Sequence, residues 1–217
     1  KVKEKNHRPK DLSVGQITSF LKALQRDVVG TEHEVVYYVV AMQYLTYSRV
    51  QDAAALHYED FDFVRNKITV NKKIQWIRRN GAVDRLVDGS KKNSGKEIDM
   101  SEHAARLFRE WALKSGVRAG LFFRFKDKII TYRQIEYRCT KALEECALPF
   151  RATHILRHAS LTEYYQGCRD LISTAKVAGH GDLRSTGKYA KARDETLASN
   201  QRQMDEKLSG LRLNQEQ

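Results

Sequence analysis

Cysteine is scarce in this 217-residue chain, and what there is has no metal or disulfide spacing. Cys139, Cys146 and Cys168 are an odd number with no C-x-x-C pair, so neither a disulfide framework nor a cysteine zinc site is implied. Cys139 and Cys146 stand seven apart on one face of a predicted helix and read as core thiols in a reducing compartment. Long apolar runs are missing as well. The longest, EVVYYVVAMQYL, is too short to span a bilayer, and no signal peptide is visible. There is no Gly-rich phosphate loop, no G-x-S-x-G elbow and no H-E-x-x-H. His154 and His158 are four apart, a spacing able to hold a metal, but no third ligand follows and Arg157 between them repels a cation. Carboxylates are not clustered as a metal-dependent nuclease would need. Acid is also in deficit: 27 Asp and Glu face 39 Lys and Arg, a net charge of +12 that points to a polyanionic partner.

What is present suits one globular domain, with a hydrophobic fraction of 41% and no internal repeats. Residues 1–10, KVKEKNHRPK, read as a basic linker, and a start at Lys1 rather than Met reads as a fragment of a longer protein. Ser13 and Gln16 have capping-box spacing ahead of Ile17, Phe20, Leu21 and Leu24, which share one helical face. A buried helix over VVYYVVAMQYL and another around RVQDAAALHYEDF are expected next. Between Phe61 and Met100 the period shifts. KITVNKKIQWIRR, AVDRLVD and KEIDM, parted by NG and KKNSG, predict an antiparallel sheet of about three strands. Helices resume at Ser101, a candidate N-cap, and run to Gly116. A second capping box, Thr131 with Gln134, opens a helix that Pro149 stops. THILRHASLTEYYQ and DLISTAKVA complete a mainly helical α+β domain over 11–193. In the tail, 194–217, Leu197, Met204, Leu208 and Leu211 draw one apolar stripe on a polar helix. That stripe has to be buried on its own domain or on a neighbouring molecule, and pattern alone leaves both open.

The reactive inventory is a set of cations and one phenol. Arg49 opens a helix with Asp52 three residues on, placed to brace the guanidinium. His154 and Arg157 lie three apart on one helix. A lysine-rich turn, GSKKNSGKEIDM, joins two strands; His180 follows a short helix; Tyr189 comes nine residues later. In this order, HILRHASLT and GHGDLRSTGKY above all, the chain from Asp11 to Ala192 resembles the catalytic domain of the tyrosine recombinase (phage integrase) family. The contexts of Arg49 (TYSRVQD) and His180 (Ala178-Gly179) depart from the family's usual Gly-Leu and Leu-Gly without removing a reactive group.

The resemblance implies that Arg49, His154, Arg157 and His180 surround a scissile phosphate, that Tyr189 is the nucleophile and that a hairpin lysine is the general acid. Counting back from EIDM favours Lys91; Lys92 is the alternative, since neighbouring strand residues face opposite ways. It further implies cleavage and rejoining of DNA through a 3′-phosphotyrosine, with no metal and no nucleotide cofactor. The partners would be double-stranded DNA with a specific recombination site and copies of the same chain, dimer to tetramer, with the tail docking in cis or in trans. The family's core-binding domain is missing from this chain, and the expected place is the cytoplasm, at the nucleoid. Arg133, Arg138, Lys141, Lys188 and Lys191 are candidate DNA contacts, from phosphate grip to groove reading. The same residues also suit a type IB topoisomerase or a catalytically silent DNA-binding relative.

Overall fold

Two helices of opposite character start the domain in the computed structural model, which describes residues 12–76, 85–88, 96–148, 153–187 and 189. α1 (Val14–Val28) is closed at its start by the reciprocal Ser13–Gln16 capping box and buries one stripe, Ile17, Phe20, Ala23, Leu24 and Val28. α2 (Val35–Leu45) is apolar almost all round and runs through the centre, burying Val36, Val39, Val40 and Met42 among others. Gln43 is buried with them.

The expected helix over RVQDAAALHYEDF is only one turn, α3 (Val50–Ala53). Beyond it the backbone is claimed by another segment: Phe122 N–H donates to the Leu56 carbonyl and Tyr58 N–H to the Gly120 carbonyl, both at 2.8 Å. Ala53, Ala54 and Ala55 are all fully buried, and a helix continued there could not make that cross-chain pairing. A 3₁₀ turn (Tyr58–Asp60) leads into β1 (Phe61–Asp62).

The run KITVNKKIQW is not one strand. It breaks at Asn71 into β2 (Lys67–Val70) and β3 (Lys72–Gln75), which belong to different ladders. β3 pairs with β4 (Arg85–Asp88), Ile74 opposite Leu86. β2 lies between β1 and β5 (Lys96–Asp99) in an antiparallel three-stranded sheet, Ile68 opposite Ile98 and Val70 opposite Lys96. The small three-stranded sheet expected from the sequence is there, with a second ladder attached.

α4 (Glu102–Ser115) starts at the Ser101 cap and ends at Gly116, whose φ of +67° suits a residue without a side chain. A short hairpin follows, β6 (Arg124–Phe125) and β7 (Lys128–Ile129). α5 (Tyr132–Glu145) opens on the Thr131–Gln134 capping box and buries Ile135, Cys139 and Leu143. Of the two predicted core thiols, Cys139 is buried deeply enough for desolvation to push it up to about 12, while Cys146 is only half-buried at the helix end. α6 (His154–Cys168), α7 (Leu171–Ala178) and α8 (Arg184–Gly187) follow. Phe61, Phe108, Phe122 and Phe123 knit sheet and helices together, Phe61 and Phe122 at 4.1 Å between ring centres. Linker 1–10 and tail helix 194–217 lie outside the described residues, and no helix among the described residues is long and apolar enough to cross a membrane.

Candidate active site

Among the described residues Arg157 is the most deeply buried cation. It projects from the first turn of α6 and is 2% exposed. Its Nη1 donates to the Tyr47 carbonyl at 2.5 Å and its Nη2 to the Ala178 carbonyl at 2.7 Å. One guanidinium therefore ties the loop before Arg49 to the end of α7 just before His180. Burial and the neighbouring Arg49 charge push Arg157 down to about 10, against the pull of Tyr189 and Asp52.

Arg49 is the N-cap of α3 and remains half exposed, 4.0 Å from Asp52. Burial pushes the Asp52 carboxyl above its usual range, while Arg49 and Arg157 pull it back. Asp52 thus pairs loosely with Arg49 and is felt electrostatically by Arg157.

α7 ends at Gly179, with φ +64°, which turns the chain so that His180 N–H caps the Ala175 carbonyl at 2.9 Å. His180 Nε2 then lies 3.4 Å from Arg157 Nη2, and its Nδ1 is 2.9 Å from the Thr186 hydroxyl. Tyr189 is 3% exposed and packs with Leu161 and Ala178 against Tyr47, Tyr165 and Val177. Its ring stacks on His180 (6.2 Å, 7° between planes) and meets His158 at 5.0 Å. So the lone phenol of a basic segment is folded against two histidines and within electrostatic reach of Arg157.

Lys91 and Lys92 lie outside the described residues. The lysine placed among these groups is Lys96, the first residue of β5. Burial pushes its ammonium down to about 7, Arg157 and Arg49 adding to the effect and Asp52 opposing it. A Cβ at Gly179 would come 3.8 Å from the Lys96 stem, so the lysine lies along the end of α7. The sequence carried a signal for this: Lys96, Ile98 and Met100 alternate with exposed Glu97 and Asp99, which puts Lys96 on the inward face.

Two clefts meet at Arg49. One, of about 1040 Å³, holds Arg49, Asp52, Lys72, Lys73, Lys96 and Arg157. The other, of about 860 Å³, is lined by Gln43, Arg49, Trp76, Tyr132, Arg133 and His154. His154 is exposed at the start of α6, and its backbone neighbour Thr153 accepts a 2.8 Å hydrogen bond from the buried Gln43 amide. Of the candidate DNA contacts, Arg133 faces this second cleft. Arg138 and Lys141 instead clamp Asp27 of α1, Arg138 at 3.0 Å, and together they hold that carboxyl below its usual range against its own burial. Lys188 and Lys191 lie outside the described residues. Among the described residues no group of three or more His, Cys, Asp or Glu side chains is placed to hold a metal ion.

The fold that carries these residues has solved counterparts. The integrase of transposon Tn1549 in complex with transposon right end DNA superposes with a TM-score of 0.71 at 20% identity, over 93% of this chain and 68% of that one. The XerH recombinase bound to its difH substrate gives 0.63 at 20% identity, covering 88% of this chain and 53% of that one. The catalytic domain of bacteriophage HP1 integrase gives 0.60 at 16% identity, over 87% of this chain and 91% of that one. At these identities the likeness speaks for the fold. A putative integrase of Pseudomonas phage Pf1 is 35% identical over 65 residues, 29% of this chain and 19% of that protein. The model of the phage integrase family matches residues 10–196, most of the chain, and the chain therefore belongs to that family, the tyrosine recombinases.

Proposed function

We propose that the full-length protein is a site-specific recombinase or integrase, cutting and rejoining DNA through a covalent phosphotyrosine. The observation that carries the reading is the convergence of Arg49, Lys96, Arg157 and His180 beside Tyr189, a tyrosine seated on His180. The Tyr189 hydroxyl oxygen attacks the phosphorus, and the bond to the 5′-oxygen breaks, leaving a 3′-phosphotyrosine. One phosphate ester replaces another, so the bond energy is kept for rejoining and no nucleotide is consumed.

An ordinary phenol loses its proton only near pH 10, so the attack needs an acceptor. His154 is the residue we assign to it, at the rim where Arg49 joins the two clefts. Arg49 and Arg157 present planar donor forks to the charge that develops on the non-bridging oxygens, and His180 adds a third donor. The leaving 5′-oxygen requires a proton. Lys96, poised near 7, is the donor we assign among the described residues, and such a group contributes about 10²–10⁴-fold. Duplex DNA with a defined site, and assembly as a multimer through the tail, complete the proposal.

The test is a covalent trap. The full-length protein is incubated in EDTA with nicked duplexes tiling the DNA on either side of its own gene, then run on a denaturing gel. A protein–DNA adduct is expected from the wild type and none from Tyr189→Phe. An adduct that survives in the Phe variant moves the nucleophile elsewhere, and no adduct on any duplex favours a DNA-binding relative without cleavage.

A further inference from the structure

Thr186 is fully buried, yet it is a polar residue on a one-turn helix in a basic segment. Its two polar ends are both committed to neighbours with chemistry to do. The hydroxyl oxygen lies 2.9 Å from His180 Nδ1, and the carbonyl accepts the Tyr189 N–H at 2.9 Å. On the opposite side of the imidazole, Nε2 faces Arg157 Nη2 at 3.4 Å. A guanidinium has donors only, so the ring nitrogen that meets it presents a lone pair. A neutral imidazole carries one N–H, and that proton therefore sits on Nδ1, pointing at the Thr186 oxygen.

We propose that Thr186 is a positioning residue that fixes His180 as the Nδ1–H tautomer and, through its own carbonyl, seats Tyr189 against that ring. Without an acceptor at Nδ1 the proton is free to move to Nε2, where it would confront the Arg157 donor. The threonine oxygen accepts from Nδ1–H whether the ring is neutral or protonated. The imidazole thus keeps one orientation while Nε2 changes role, from acceptor toward Arg157 to donor toward a phosphate oxygen. The parallel stacking of His180 and Tyr189, 7° between planes, is the geometric result of both being hung from the same residue. The value of this to strand cleavage rests on the phosphotyrosine reading above; the tautomer itself does not.

The experiment needs no DNA site in its first arm. Long-range ¹H–¹⁵N correlation spectra of the ¹⁵N-labelled full-length protein, at a pH where the ring is neutral, report which His180 nitrogen is protonated. The wild type and Thr186→Ser should show a pyrrole-like Nδ1 and a pyridine-like Nε2, and Thr186→Val should lose that preference. A wild-type ring protonated at Nε2, or a Val spectrum identical to wild type, overturns the proposal. Should Thr186→Val fail to fold, the wild-type and Ser spectra still decide. In the second arm, covalent adduct formation on the nicked duplexes should fall about 10- to 100-fold in Thr186→Val, the scale of a displaced catalytic group. Thr186→Ser should recover most of it. If the wild type forms no adduct while its tautomer is as stated, the cleavage reading fails and the positioning role stands.

Discussion

At neutral pH the Lys96 ammonium is near the midpoint of its titration, because burial and two arginines work against its charge while Asp52 alone supports it. An unfolded chain would hold the same proton to about pH 10.4. Between those two values the unfolded state binds more protons than the folded one, so this residue makes the fold gain stability as pH rises from about 7 toward 10. Below 7 the folded protein carries the buried charge at its full cost. Lys96→Met removes that cost, and its melting temperature at pH 6 should exceed wild type by about 2–4 °C for each kcal/mol recovered. The gain should have largely gone by pH 10, where the folded lysine is neutral and the unfolded one is beginning to lose its proton; calorimetry at pH 6, 8 and 10 checks it. An equal gain at all three values would mean that the charge is not the cause. The same variant should be slow in cleavage, so stability and activity move in opposite directions. A lysine of the KKNSGKEIDM hairpin could be expected at the site from the sequence; Lys91 and Lys92 lie outside the described residues, and among the described ones the exposed–buried alternation through Met100 turns Lys96 inward.

Two elements far apart in sequence are joined by Gln43, near the end of α2. Its carbonyl accepts the Ser48 N–H at 3.1 Å, setting the loop that delivers Arg49. Its side-chain amide donates to the Thr153 carbonyl at 2.8 Å, setting the start of α6, from which His154 and Arg157 project. Gln43→Leu keeps the volume and removes the donor, leaving a buried carbonyl without it. Such a loss costs about 1–3 kcal/mol. Urea unfolding should show it, and adduct formation should drop by more than the affinity for duplex DNA does. Equal losses in binding and cleavage would speak against a role in aligning the two halves. Helices bounded by local signals, the Ser13 and Thr131 capping boxes and the Gly116 end, were legible in the sequence because caps act within a few residues. The one-turn α3 and the handover from β2 to β3 were not, since both are decided by distant partners, the 120–122 segment and β4.

For the whole molecule, the +12 charge is unevenly used. Several cations are paired with carboxylates of the fold: Arg138 and Lys141 with Asp27, Lys114 with Glu34, Lys72 with Asp60 at the edge of the larger cleft. Arg49, Lys96 and Arg157 share a cleft in which Asp52 is the one acidic group their charges feel most. Assembly is expected to depend on the stripe Leu197, Met204, Leu208 and Leu211. A chain ending at Arg193 should bind a single site within about threefold of wild type yet lose the slower, higher-order bands in a gel shift, since an apolar stripe of this kind contributes roughly 25 cal/mol per Å² buried. Unchanged higher-order bands would reject docking in trans. Tyr189 has a different consequence at this scale. It lines neither cleft and is 3% open to solvent. A phosphodiester sliding across Arg49 and Lys96 meets charge but no phenol, and the observed cutting rate is the intrinsic rate multiplied by the fraction of time the seat stands open. On the proposed reading, a duplex resting on those cations stays uncut until the seat of Tyr189 opens, so the burial of one phenol acts as a safety catch on the nucleophile.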